Sequence, residues 1–272
     1  MNLIFVVILF IITGLLTGII AGMLGVGGGI IFVPALYVLL PLTIINPNHL
    51  TYIVIGTSLF CIALTSFSSG VNHYISNNVD FKYAALLALG SITSSILSVY
   101  FVLNIKPTYL QYIFSVVFIL IALKMFLGND YSNKIDLAGK KFHKIYFSIL
   151  FGLLVGIFSA FTGLGGGILF VPILIYFFGL KTKKAIGTSS VVIFATTLAA
   201  AITYGLHYIA VKESFLQIGY IYLLAGIPIG LSAALGAYLG VKITLKTEPA
   251  KLRRYFSVLL LIVVIKITIG LL

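Results

Sequence analysis

The chain has 272 residues, of which 61% are hydrophobic and only 8% charged, with a mean hydropathy of +1.22. Soluble domains carry about a quarter charged residues, so this composition excludes a soluble globular fold and makes the lipid bilayer the solvent. The formal net charge of +12 is spread over short stretches between apolar runs, which excludes a nucleic-acid-binding domain and reads as membrane-topology signal.

In chain order, hydrophobic elements are predicted at about 3–24, 28–42, 50–71, 81–103 and 108–127, and then at 144–163, 166–179, 186–208, 215–241 and 251–271. The first opens directly after Met1 and Asn2, with no basic residue ahead of it, and reads as a membrane segment rather than a cleaved signal peptide. Between it and the second lies Gly25-Val26-Gly27-Gly28-Gly29. So dense a cluster cannot continue a helix, because each interior glycine costs about 1 kcal/mol against alanine. The second element is short and follows the cluster, as a half-helix or re-entrant segment would. The third contains Ile55-Gly56-Thr57-Ser58, and Cys61, the sole cysteine, excludes an intrachain disulfide and reads as a small apolar helix residue.

The second half repeats these landmarks. Gly14–Pro34 reads GLLTGIIAGMLGVGGGIIFVP, and 138 residues later Gly152–Pro172 reads GLLVGIFSAFTGLGGGILFVP. Ile186-Gly187-Thr188-Ser189 answers Ile55–Ser58, and Phe256-Ser257-Val258 through Lys266 answers Phe114-Ser115-Val116 through Lys124. We therefore expect an all-α polytopic transmembrane helical bundle of two inverted repeats, with about eight to ten membrane segments. A first repeat over 1–127 and a second over 144–272 are joined by a cytoplasmic linker over 128–143. With that linker inside, it and its edges, the loops 180–185 and 242–254, and Lys82 hold 14 of the 17 basic residues, leaving only Lys106, Lys212 and Lys266 outside. Both termini then fall on the non-cytoplasmic side. If the short elements do not return the chain to its starting face, each half crosses four times and the repeats are parallel instead.

Two symmetric breaks at membrane depth imply a polar site between the halves. The restarting helices present free N–H groups and the positive end of a dipole, which suit an oxyanion. The candidate substrate-binding residues are Gly25, Gly27, Gly28 and Gly29 in one half and Gly163, Gly165, Gly166 and Gly167 in the other. Beside them stand Thr57, Ser58, Thr162, Thr188, Ser189 and Ser190. Their hydroxyls either donate to an anion or bond back to helix carbonyls, and the glycines alternatively serve close helix packing.

The paired G-x-G-G-G followed by F-V-P, and then G-T-S in the next helix, resembles the TauE/SafE sulfite exporter-like family of permeases over nearly the whole chain. That resemblance implies transport of a sulfur oxyanion such as sulfite or an organosulfonate across a prokaryotic inner membrane.

Asp80, Asp130, Asp136, Glu213 and Glu248 fall in loops or at element boundaries, so no carboxylate relay is expected at mid-depth. His49 and His143 read as loop residues, and His73 and His207 as helix-end residues, for which interfacial packing is the first reading and proton coupling the second. No H-E-x-x-H, G-x-S-x-G or P-loop sequence is present, which argues against an enzyme and against nucleotide hydrolysis. A membrane transporter without cofactor or metal is the expected function, its partners being a small anion, the bilayer and a coupling ion, proton or sodium. A channel-like facilitator comes second, ahead of an intramembrane enzyme or an anchor subunit.

Overall fold

The computed structural model describes residues 3–43, 49–105, 141–207, 216–248 and 251. The chain is an all-α membrane bundle. In lipid, backbone polar groups must be satisfied within the segment, and its long apolar runs meet that demand as helices. These are α1 (Leu3–Leu24), α2 (Gly29–Leu39), α3 (Leu50–Ile75), α4 (Phe81–Val102), α5 (Lys141–Thr162), α6 (Gly167–Tyr176), α7 (Thr182–Leu206) and α8 (Leu223–Lys246). Six of them, α1, α3, α4, α5, α7 and α8, are long and apolar enough to cross a membrane, while α2 and α6 are shorter. A 3₁₀ turn over Leu40–Leu42, with Pro41 in its first turn, prolongs α2. The predicted elements at 108–127 and, past its first residue, 251–271 lie outside the described residues.

Two boundaries differ from expectation. The element predicted over 215–241 opens instead as a small antiparallel hairpin, Gln217–Ile218 against Ile221–Tyr222, turning at Gly219 with φ 51°. Its helix starts only at Leu223 and continues to Lys246. A glycine and flanking β-branched residues favour the turn, which apolar content alone does not reveal. The helix α5 begins at Lys141, so His143, expected in the linker, is helical.

The two halves interlock. The first helix of each packs on the last described helix of the other, α1 on α8 and α5 on α4, while α3 and α7 pack together in the middle. Central placement shows in enclosure: 72% and 67% of the most apolar stretches of α3 and α7 are buried, against 33% for α1. Glycine lets the backbones touch. A Cβ added to Gly18 would stand 2.1 Å from the Ala233 carbonyl oxygen, and one on Gly156 would stand 2.3 Å from that of Ser91.

Contacts give the helix directions. Gly14, Gly18 and Gly22 meet Ile229, Ala233 and Ala237 in turn, so α1 and α8 run the same way. Likewise Gly152 meets Leu87 and Gly156 meets Ser91, so α4 and α5 run the same way. The helices α3 and α7 are antiparallel, with Gly56 against Tyr204, Gly70 against Val191 and His73 against Gly187.

Candidate functional site

Both glycine clusters break the chain as expected. Gly28 and Gly166 cap α2 and α6 with φ 91° and 73°, a left-handed conformation that glycine alone adopts without strain. Space at these caps is short as well: a Cβ on Gly28 would lie 2.8 Å from Thr17 Cγ2, and one on Gly166 would lie 2.4 Å from Val155 Cγ1. The two breaks abut. A Cβ on Gly29 would lie 2.5 Å from Leu164 Cα, and one on Gly167 would lie 2.5 Å from Val26 Cα. Every residue of both breaks is buried, so the conformation is closed around them.

Each break is braced by a hydroxyl from the opposite half. Ser58 Oγ on α3 donates to the Gly163 carbonyl at 2.8 Å, and Ser189 Oγ on α7 donates to the Gly25 carbonyl at 3.0 Å. The preceding threonines hold the segments that lead into the fourth helices. The Tyr222 N–H donates to Thr57 Oγ1 at 3.0 Å, and the Asp80 N–H donates to Thr188 Oγ1 at 2.9 Å. Thr188 also donates to the Lys184 carbonyl, while Ser190 donates to that of Ile186 and meets Ser69 Oγ at 3.0 Å. Thr162 donates to Phe158 and accepts the Leu164 N–H. All six predicted hydroxyl residues are thus buried against backbone. The serine hydrogens are spent on carbonyls, so in this conformation they shape the breaks rather than face a ligand.

The N–H groups at the breaks are different. Neither cap receives a side-chain hydrogen bond. Among the described residues, the N–H groups of Val26, Gly27, Gly28, Gly29 and Ile30 have no acceptor, nor do those of Gly165, Gly166, Gly167 and Ile168. Buried donors are almost always paired, and each one left alone costs about 1–3 kcal/mol. Free N–H groups at a helix start sit at the positive end of the helix dipole.

One further residue belongs here. Ser66 Oγ lies 3.3 Å from the position of a Cβ on Gly27, is 2% exposed and has no partner. Thr65-Ser66 on α3 and Thr196-Thr197 on α7 recur at the same 131-residue spacing as Thr57-Ser58 and Thr188-Ser189, a signal that could have found it. Ile62 and Ile193 close the apolar side of both breaks. Among the described residues, no group of His, Cys, Asp and Glu could hold a metal.

The family model for the sulfite exporter TauE/SafE matches residues 10–267, both breaks included. The chain belongs to the TauE/SafE family. A "Probable membrane transporter protein" of Haemophilus influenzae is 29% identical over 95% of this chain and 97% of its own length. One of Methanocaldococcus jannaschii is 31% identical over 93% and 91%, and one of Bacillus subtilis is 26% identical over 94% and 95%. No solved structure matches. As a TauE/SafE member with six span-length helices, the chain is a multi-pass membrane transporter.

Proposed function

We propose that this protein is a secondary transporter for a small sulfur oxyanion, sulfite or an organosulfonate, which binds between the two glycine breaks. The observation that carries the reading is the set of buried, acceptor-free N–H groups converging at two abutting helix starts. An anion accepting several of them relieves their cost without a buried lysine or arginine, so binding stays loose enough for turnover. The family's description supplies the sulfite class.

Transport proceeds by alternating access between two inverted halves, with the inner-membrane cytoplasm at the basic loops and both termini opposite. The opposed directions of α1 and α5, inferred from their parallel partners, support inversion. The closed breaks favour a gated carrier over an open channel. The test is uptake of radiolabelled sulfite, sulfate, thiosulfate and methanesulfonate by proteoliposomes. Saturable flux of sulfite or methanesulfonate is expected. Folded protein that moves none of the four overturns the reading.

A further inference from the structure

One face of α3 carries Ser66, Ser69 and His73, spaced so that their side chains stack along the helix. They span about 10 Å, from the first glycine break to the end of α3. All three are buried, at 2%, 2% and 0% exposure. Ser66 Oγ is unpartnered, Ser69 Oγ shares a hydrogen with Ser190 Oγ, and neither ring nitrogen of His73 has a hydrogen-bond partner. The matching positions on α7 are Thr197, Ala200 and Tyr204. There Thr197 spends its hydrogen on the Ile193 carbonyl at 2.8 Å, Ala200 has none to offer, and Tyr204 donates to the Ala160 carbonyl at 2.9 Å. The polar file therefore exists in one half only.

His73 sits in the last turn of α3, at a helix end as expected, and is packed against protein there. It is the only Asp, Glu, Lys, Arg or His side chain buried among the described residues. It is wedged against Gly187 of α7, where an added Cβ would stand 2.8 Å from its own, and lies beside the Gly22 carbonyl without meeting it in a hydrogen bond. An imidazole buried in protein, whose polar contact is limited to the neighbourhood of the Gly22 carbonyl, is costly as packing alone. At the matching position, Tyr204 has its hydroxyl satisfied by the Ala160 carbonyl.

The charged groups on the surrounding elements are few. The last turns of α1 carry none. The turn before α4 carries Asp80, which pairs with Lys184 at 3.6 Å, and Lys82 follows on α4. On α7, Lys183 donates to the Leu245 carbonyl, and Lys242 on α8 lies over the Tyr238 ring, with Lys246 a turn beyond.

We propose that His73 carries the proton that couples transport, with Ser66 and Ser69 linking it to the anion at the glycine breaks. The inference rests on the transporter reading above. A proton from one aqueous phase adds to the lone-pair ring nitrogen while the anion is bound, and leaves to the opposite phase after the halves have rocked. The imidazole returns neutral. One proton accompanies one monoanion, so a buried negative charge is never carried without its counterpart.

The experiment compares wild type, His73→Gln and His73→Tyr in proteoliposomes, using radiolabelled sulfite alongside methanesulfonate, which carries no proton of its own. Counterflow, with anion on both sides and no gradient, reports carriage without coupling. Accumulation against a pH step reports coupling, approaching tenfold per pH unit for one proton per monoanion. Wild type should show both, while the variants should still show counterflow but accumulate nothing beyond equilibrium. The tyrosine variant imitates Tyr204 and guards against loss of fold. Proton-driven accumulation that survives in either variant overturns the proposal, as does wild-type counterflow indifferent to the pH step. No wild-type counterflow of either anion overturns the transporter reading itself.

Discussion

At the scale of single residues, the site depends on conformations only glycine adopts and on hydroxyls that hold them. Ser58 and Ser189 each satisfy a carbonyl exposed by the opposite break. Ser58→Ala and Ser189→Ala should each lower stability by about 1–3 kcal/mol, the cost of a buried acceptor left alone, read as a lower melting temperature in detergent. Because the two breaks abut, the double variant should depart from the sum of the single effects. An unchanged melting temperature would remove them from this role. A leucine at both Gly28 and Gly166 adds left-handed strain and fills the space beside the free N–H groups, so flux should vanish while the apolar spans still insert. Normal flux in that folded double variant would place the anion elsewhere. The glycines were legible in the sequence because both conformation and repetition mark them. The hydroxyls were legible as candidates, but their orientation was not, since a serine in a helix serves its own backbone, a ligand or a neighbour with the same local pattern. Ser66 is marked in the sequence only by the recurrence of Thr65-Ser66 at Thr196-Thr197, a weaker signal than the glycine clusters, and its lack of a partner shows only in the fold.

Helices were the most legible feature, since long apolar runs have few alternatives in a bilayer. Pairings were not: α1 could have packed on α2 or α3 by sequence alone, and it is the contacts of Gly14, Gly18 and Gly22 that show α8 as its partner. The hairpin before α8 was hidden because three of its four strand residues, Ile218, Ile221 and Tyr222, are apolar and look like the start of a helix. Its symmetric counterpart, the turn over residues 76–80, contains no strand, yet both deliver a backbone N–H to the matching threonine. The function of the segment constrains that one donor more than its secondary structure. Helix contacts through glycine make a further prediction. Gly18→Leu should separate α1 from α8 and abolish monodisperse protein on size exclusion, because the clash is with backbone that cannot step aside. Gly179→Asn, at a position with nothing within 4 Å and with a residue that tolerates the left-handed φ of 68°, should elute as wild type.

At the scale of the whole molecule, the proposed inversion of the halves predicts which side each loop faces. Cys61 is buried, so the unmodified chain should react little with a membrane-impermeant maleimide. In intact cells, Asn104→Cys should be labelled from outside and Gly179→Cys only after permeabilisation. The same accessibility at both positions would contradict the proposed orientation. The pairing of α1 with α8 also bears on how the protein is made. Thr244 of α8 donates to the Met23 carbonyl of α1, 221 residues away in sequence. At 5–20 residues per second, α1 leaves the ribosome on the order of tens of seconds before its partner exists. During that interval its glycine-lined face can meet only lipid, insertion machinery or the wrong helix. The N-terminal segment is therefore the part of the nascent chain most exposed to capture by quality-control proteases, and substitutions along that face should reduce yield in the cell before they alter anything measured on the finished protein.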